Sequence, residues 1–505
     1  NTTVSMGSEG YFSGSAIAMA GSFTLDGAAA TTGQTTIQGL TAGGGITVSM
    51  GTGTGAVTLV SGATGGNFTL DATTFGGAID LTNVTASGAF VVSVGTNGDL
   101  SAGVVATQGS FTVDAAAAAS GAVTLTTVTA GGNATISMGA GTGALAVTNM
   151  TAGGNITVDA GTFDGAIDIT NMSASGAGTV SVGSSGDFSA GQVNVNSTFT
   201  LDAGAATTGA ITLTGLDAGG NATISMGTGT GSITLTSGVT TGSFTLDAST
   251  FGGAIDISSI SASGVVISMG LSGDLSAAQT ISTGAVTIDG ATAVTGSATL
   301  GTISAAGAAT VSMGAGSGSL AVTTSLDTDK GFILDASKFG GTLDFAALTA
   351  SGATISVAGG DFSAGQTIIS SAFTLDASTS TTGTITLTSV SAGGNASISM
   401  GGGSGALAVG SALGNGTFSI NAASFTGSTT ITNVSAGAVS ITLAGKDQAA
   451  FSAGIIDSTA SISLTQAQAS SGSITASTLD ASGSVTIGLG TGTGSNYREY
   501  YCRRI

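Results

Sequence analysis

A chain of 505 residues with no His, no Trp, no Pro and a single Cys, and with 26 acidic against 6 basic side chains, lacks the groups on which most catalysis depends. Absence of His removes the ordinary general base near neutral pH, and with it Ser-His-Asp triads, Cys-His pairs and most zinc sites, while the lone Cys502 cannot close an internal disulfide. The six cations (Lys330, Lys338, Lys446, Arg498, Arg503, Arg504) all lie at or after residue 330, so the composition predicts no nucleic-acid partner and no attraction to an anionic membrane.

The chain starts inside a repeat. Thr3-Val4-Ser5-Met6-Gly7 matches Thr135-Ile136-Ser137-Met138-Gly139, which predicts that the sequence is a piece of something longer. Next comes Phe-Thr-Leu-Asp or a close variant, ending at Asp26, Asp71, Asp114, Asp159, Asp202, Asp247, Asp289, Asp335 and Asp376. A longer period is sharper: Phe75, Phe163, Phe251 and Phe339 are each 88 residues apart, as are Asp80, Asp168, Asp256 and Asp344. Within that unit Ala134–Gly139 aligns with Ile156–Gly161, 22 residues on, so one unit holds four coils.

Each coil carries alternating segments with the period of a strand, such as Phe199–Ala203 and Ala210–Thr214. Alternation sends Phe199, Leu201, Ala203, Ile211 and Leu213 inward and Thr200, Asp202, Thr212 and Thr214 to solvent. Gly-rich stretches such as Gly139–Gly143 and Ala218–Asn221 supply the corners. Strands that recur once per coil must stack on their equivalents in the next coil as parallel strands about 4.8 Å apart. The predicted fold class is therefore all-β: a parallel β-solenoid (β-helix) with about 22 residues per coil, grouped in 88-residue tandem repeats. It should occupy 1–495 as a single array, with 496–505, rich in Tyr and Arg, as a non-repeat C-terminal tail or cap. With an apolar fraction of 41% the chain should fold, and no apolar run reaches the length of a membrane-spanning helix, so no membrane insertion is expected.

Several residue types recur in places where chemistry is conceivable. Met6, Met50, Met138, Met226, Met313 and Met400 sit in Ser-Met-Gly, where alternation points them inward as core filling rather than as soft metal ligands. The Asp of Phe-Thr-Leu-Asp returns every second coil, so its neighbours in that column are about 9.6 Å apart, too far to converge on one ion. Calcium has better candidates at corners where Asp sits among Gly carbonyls: Asp164 in Thr-Phe-Asp-Gly, and Asp99, Asp187, Asp274 and Asp361 in Gly-Asp-Leu/Phe-Ser-Ala. The nonapeptide Gly-Gly-x-Gly-x-Asp of calcium-filled β-rolls does not occur. Outward Thr pairs such as Thr212/Thr214 read as strand residues rather than as an ice-binding array, because Asp168 and Asp256 interrupt them in neighbouring coils. Sequons at Asn67, Asn83, Asn133, Asn155, Asn171, Asn221 and Asn395 make surface glycan a partner class, though an Asn corner before a Thr-rich strand creates the same pattern without sugar.

The repeats Phe-Thr-Leu-Asp-Ala, Gly-Ala-Ile-Asp-Ile-Thr-Asn and Gly-Gly-Asn-Ala-Thr-Ile-Ser resemble, over nearly the whole chain, the Gly/Ala/Thr-rich solenoid regions of bacterial S-layer proteins and large secreted adhesins. That resemblance implies an extracellular or cell-surface location, calcium as the cofactor, and self-association into a lattice or fibre. The expected function is a structural protein rather than an enzyme. The stalk of a large adhesin is the alternative, and a polysaccharide-acting β-helix enzyme a distant third, since that chemistry needs acidic pairs and stacking aromatics in one cleft.

Overall fold

The computed structural model describes residues 1–29, 32–117, 120–205, 208–270, 272–290, 295–379, 382–444, 450–466 and 474–488. The tail 496–505, Lys446 and the three arginines lie outside the described residues. The fold is the expected all-β one, a parallel β-solenoid of about 21 turns with ~22 residues per coil. Among the described residues no helix is long and apolar enough to cross a membrane. Two compact units divide the chain, Asn1–Asp256 and Ile257–Ile505.

In the first unit a coil is built from a short and a long strand. Phe68–Ala72 is a short one, with its first, third and fifth side chains buried, and it pairs in parallel with Ile46–Met50 on one side and Phe90–Val94 on the other. The long strand Ala78–Ala86 buries Ile79 and Leu81, then exposes Thr82 and Asn83 in succession, then buries Val84 and Ala86. Two exposed residues in a row reverse the alternation, which a straight strand cannot do, so the chain turns a corner there. The ladder skips Thr82 in both directions. Two coils earlier in the solenoid the same stretch is fully broken into Thr35–Ile37 and Leu40–Ala42. A coil thus has three straight runs where the alternation of the sequence had marked two.

All five residues expected inward at Phe199, Leu201, Ala203, Ile211 and Leu213 are fully buried. The first inward column of the short strands stacks aromatic rings: Phe68 on Phe90 at 5.0 Å and Phe90 on Phe111 at 5.3 Å, both nearly parallel. Burial of one such ring removes about 2–3 kcal/mol of apolar hydration. The Met residues of Ser-Met-Gly are core filling, buried at Met50, Met138, Met226, Met313 and Met400, with Met6 half-buried in the first coil. They alternate with small residues in the same column, as at Ala115 beside Met138. At Gly27 the thioethers of Met6 and Met50 close over the missing side chain from both sides. The 88-residue period has a physical marker too: Phe75, Phe163, Phe251 and Phe339 are buried in the corner after the short strand, each against a glycine two residues on.

The second unit repeats this plan, except that short and long runs fuse into the continuous strands Ser319–Ala336 and Thr342–Val357. Ser319–Ala336 is a continuous strand whose register shifts between Val322 and Leu326 and again between Thr328 and Gly331.

Candidate functional site

The polar residues singled out by the sequence are placed at the corners, and their partners lie one coil away. Asp99 accepts the backbone N–H of Ala122 at 2.8 Å and Asp187 that of Ala210 at 2.8 Å; in the second unit Asp274 accepts from Ser297 at 2.9 Å and Asp361 from Thr384 at 2.7 Å. In each case the acceptor is Oδ1 and the donor stands 23 residues further on. Asp164 differs: its Oδ1 takes the hydroxyl of Ser184 at 2.9 Å and the N–H of Ser185 at 3.2 Å, in the loop that leads to Asp187. The role the geometry assigns to these carboxylates is to hold the next coil's corner, a charge-assisted bond to an amide that the ladder leaves free. Calcium needs six to eight converging oxygens, and among the described residues no group of three or more His, Cys, Asp or Glu is placed to hold a metal ion.

The Asn corners work in the same way. Oδ1 of Asn67, Asn133, Asn155, Asn221 and Asn395 accepts the N–H of Ala89, Asn155, Ala177, Ser243 and Thr417 respectively, at 2.9–3.0 Å. Asn83 and Asn171 sit instead at the exposed bend of the long strand, where Asn171 donates its side-chain N–H to Asn149 Oδ1 at 2.9 Å. Buried Thr64, Thr107 and Thr240 add a third inter-coil bond, from their hydroxyls to the carbonyls of Gly44, Gly88 and Gly220, which local alternation gave no means of finding.

The short strands carry the most regular outward surface. In the first unit their second position is Thr in every coil but that of Val91, and half-buried as at Thr47, Thr69, Thr112 and Thr135. Their fourth position alternates strictly in the first unit: Ser5, Asp26, Ser49, Asp71, Ser93, Asp114, Ser137, Asp159, Ser181, Asp202, Ser225, Asp247. Each of those aspartates accepts the N–H of the residue two places on, for example Asp114 from Ala116 at 3.1 Å and Asp202 from Gly204 at 2.9 Å. These turns tie one oxygen of each carboxylate to the corner at the strand end. In the second unit the carboxyl of Asp335 is held below its ordinary value, first by the Ser337 hydroxyl, then by the Ser337 N–H, and against a smaller opposing effect of burial, with Lys338 adding to the lowering.

Fold and surface together define a β-solenoid repeat protein whose corner Asp and Asn side chains join successive coils. No family model, no curated protein and no solved structure matches the chain.

Proposed function

We propose that this chain is an architectural protein of the cell surface or extracellular space that assembles with copies of itself into a lattice or fibre. One observation carries the reading: the outward face of the short strands presents the same Thr column and the same Ser/Asp alternation coil after coil, from Ser5 to Asp247. A surface that repeats at the pitch of the fold suits contacts that repeat as well, whereas a catalytic site is a local departure from its scaffold. The extracellular location belongs to the same proposal and is supported by the resemblance of the repeats to those of S-layer proteins and secreted adhesins.

Negative-stain microscopy of the purified chain over a concentration series, with calcium and then with EDTA, tests it. Ordered sheets or filaments are the expected result. Isolated particles at every concentration in both buffers would count against assembly and favour the stalk of a larger adhesin.

A further inference from the structure

The Ser/Asp column is more than a row of charges, because its two residue types differ in height. Asp26, Asp71, Asp114, Asp159, Asp202 and Asp247 are exposed, while Ser49, Ser93, Ser137, Ser181 and Ser225 between them are half-buried. The face therefore alternates projection and recess along the solenoid with a repeat of two coils, about 9.6 Å. Projections are hydrogen-bond acceptors, and recesses hold hydroxyl donors.

Such a column is complementary to itself after a shift of one coil. A two-fold axis lying parallel to the strands, between the coil of Asp114 and the coil of Ser137, places Asp114 opposite Ser137 of a second copy. The same operation places Asp159 opposite Ser93, Asp71 opposite Ser181 and Asp202 opposite Ser49, and it closes at the ends with Asp26 opposite Ser225 and Asp247 opposite Ser5. We propose that the short-strand face of residues 1–256 docks on the same face of a second copy in this register, with the carboxylates of Asp26, Asp71, Asp114, Asp159 and Asp202 each entering a serine recess and accepting its hydroxyl, and Asp247 meeting the exposed Ser5 at the end of the face. The inference rests on the assembly reading above and names its contact.

Area supports it. The first unit has twelve short strands, from Thr2–Ser5 to Ser243–Ala248. At about 4.8 Å per coil and about 16 Å of strand this face offers roughly 800 Å² per partner, the size of a standard stable interface. An isologous contact of this kind is the commonest form of dimer. Its sign of salt dependence is distinctive. The chain carries a net charge of −20 with no Lys or Arg before Lys330, so the two faces repel at long range and the contact tightens as salt screens them.

The test is sedimentation velocity of the full chain at about 20 mM and about 500 mM NaCl, a range over which the screening length falls severalfold. The wild type is expected to dimerise more tightly at high salt. Ser93→Ala with Ser137→Ala removes two donors without filling the recesses, and Ser93→Gln with Ser137→Gln fills them without adding charge. Each pair should weaken association by at least about tenfold, with circular dichroism unchanged. A wild type that associates in sheets or filaments indifferent to both pairs overturns this inference and leaves the assembly reading standing. A wild type that stays monomeric at every concentration and salt overturns both.

Discussion

Asp187 and Ala210 are 23 residues apart in sequence and joined by a 2.8 Å bond from the Ala210 N–H to the Asp187 carboxylate. The same bond recurs at Asp99, Asp274 and Asp361, at the corner where one coil hands over to the next. Asp187→Ala leaves that amide without its side-chain acceptor, and the cost should be about 1–2 kcal/mol. Amide exchange at Ala210 should accelerate accordingly. Asp168→Ala, on an exposed outward strand position, should change stability by no more than about 0.5 kcal/mol. Equal effects of the two substitutions would refute the inter-coil role.

Neighbouring glycines at one corner should respond in opposite ways. A Cβ added at Gly77 would land on the carbonyl oxygen of Gly55 and on the Phe75 ring, whereas at Gly76 the nearest atom is the Gly53 oxygen at 3.6 Å. Gly77→Ala forces the coils apart and should cost about 3 kcal/mol or more. Gly76→Ala meets ordinary contact and restricts the unfolded chain, for a gain of about 0.4–1 kcal/mol. Thermal unfolding of the two variants side by side decides the point.

Thr367 occupies an inward position between Leu348 and Val390, 1% exposed, with a hydroxyl that has no hydrogen-bond partner among the described residues. The matching position of an earlier repeat, after Ser-Ala-Gly-Gln, is Val193. Thr367→Val keeps the shape and removes an unpaired buried polar group, so it should stabilise the protein by about 1 kcal/mol. A lower melting temperature for this variant would mean that the hydroxyl is satisfied after all.

Asp335 supplies a pH dependence with a definite sign. Its carboxyl is lowered in the folded state, mainly by the Ser337 hydroxyl and N–H, which bond to Oδ1 at 2.7 and 3.2 Å. A group whose folded pKa lies below its unfolded one contributes stability that is fully present above the unfolded value, about 3.9, and disappears as pH falls through the folded one. The difference in melting temperature between the wild type and Asp335→Asn should therefore be largest near neutral pH and shrink as pH falls below about 4. A difference that stays constant across that range would assign the effect to the turn's geometry instead of its charge.

Much of the fold was legible in the chain itself, because period-two alternation reports burial from local sequence alone. Phe199, Leu201, Ile211 and Leu213 could be assigned inward without knowing what they touch. The bend at Thr82 and Asn83 was not legible: two polar residues in succession read equally as a loop, and only the ladder shows a strand turning a corner and resuming. Volume exchange between repeats was hidden for the same reason. Gly178 stands 88 residues after Phe90, and the space is taken by Met172, Val195 and Phe199 from neighbouring positions.

The sequence by itself determined the coil length, the 88-residue unit, the inward columns and the filling role of the methionines, all of which follow from spacing and alternation along one strand. Tertiary structure decided what the corners do. Asp187, Asn155, Thr240 and Gly77 each act on an atom about one coil away, at a separation in sequence that makes their partners anonymous until the coils are stacked. The alternation of exposed Asp with recessed Ser is likewise a property of the stacked face: it appears only when residues some 22 apart in sequence become neighbours about 4.8 Å apart in space.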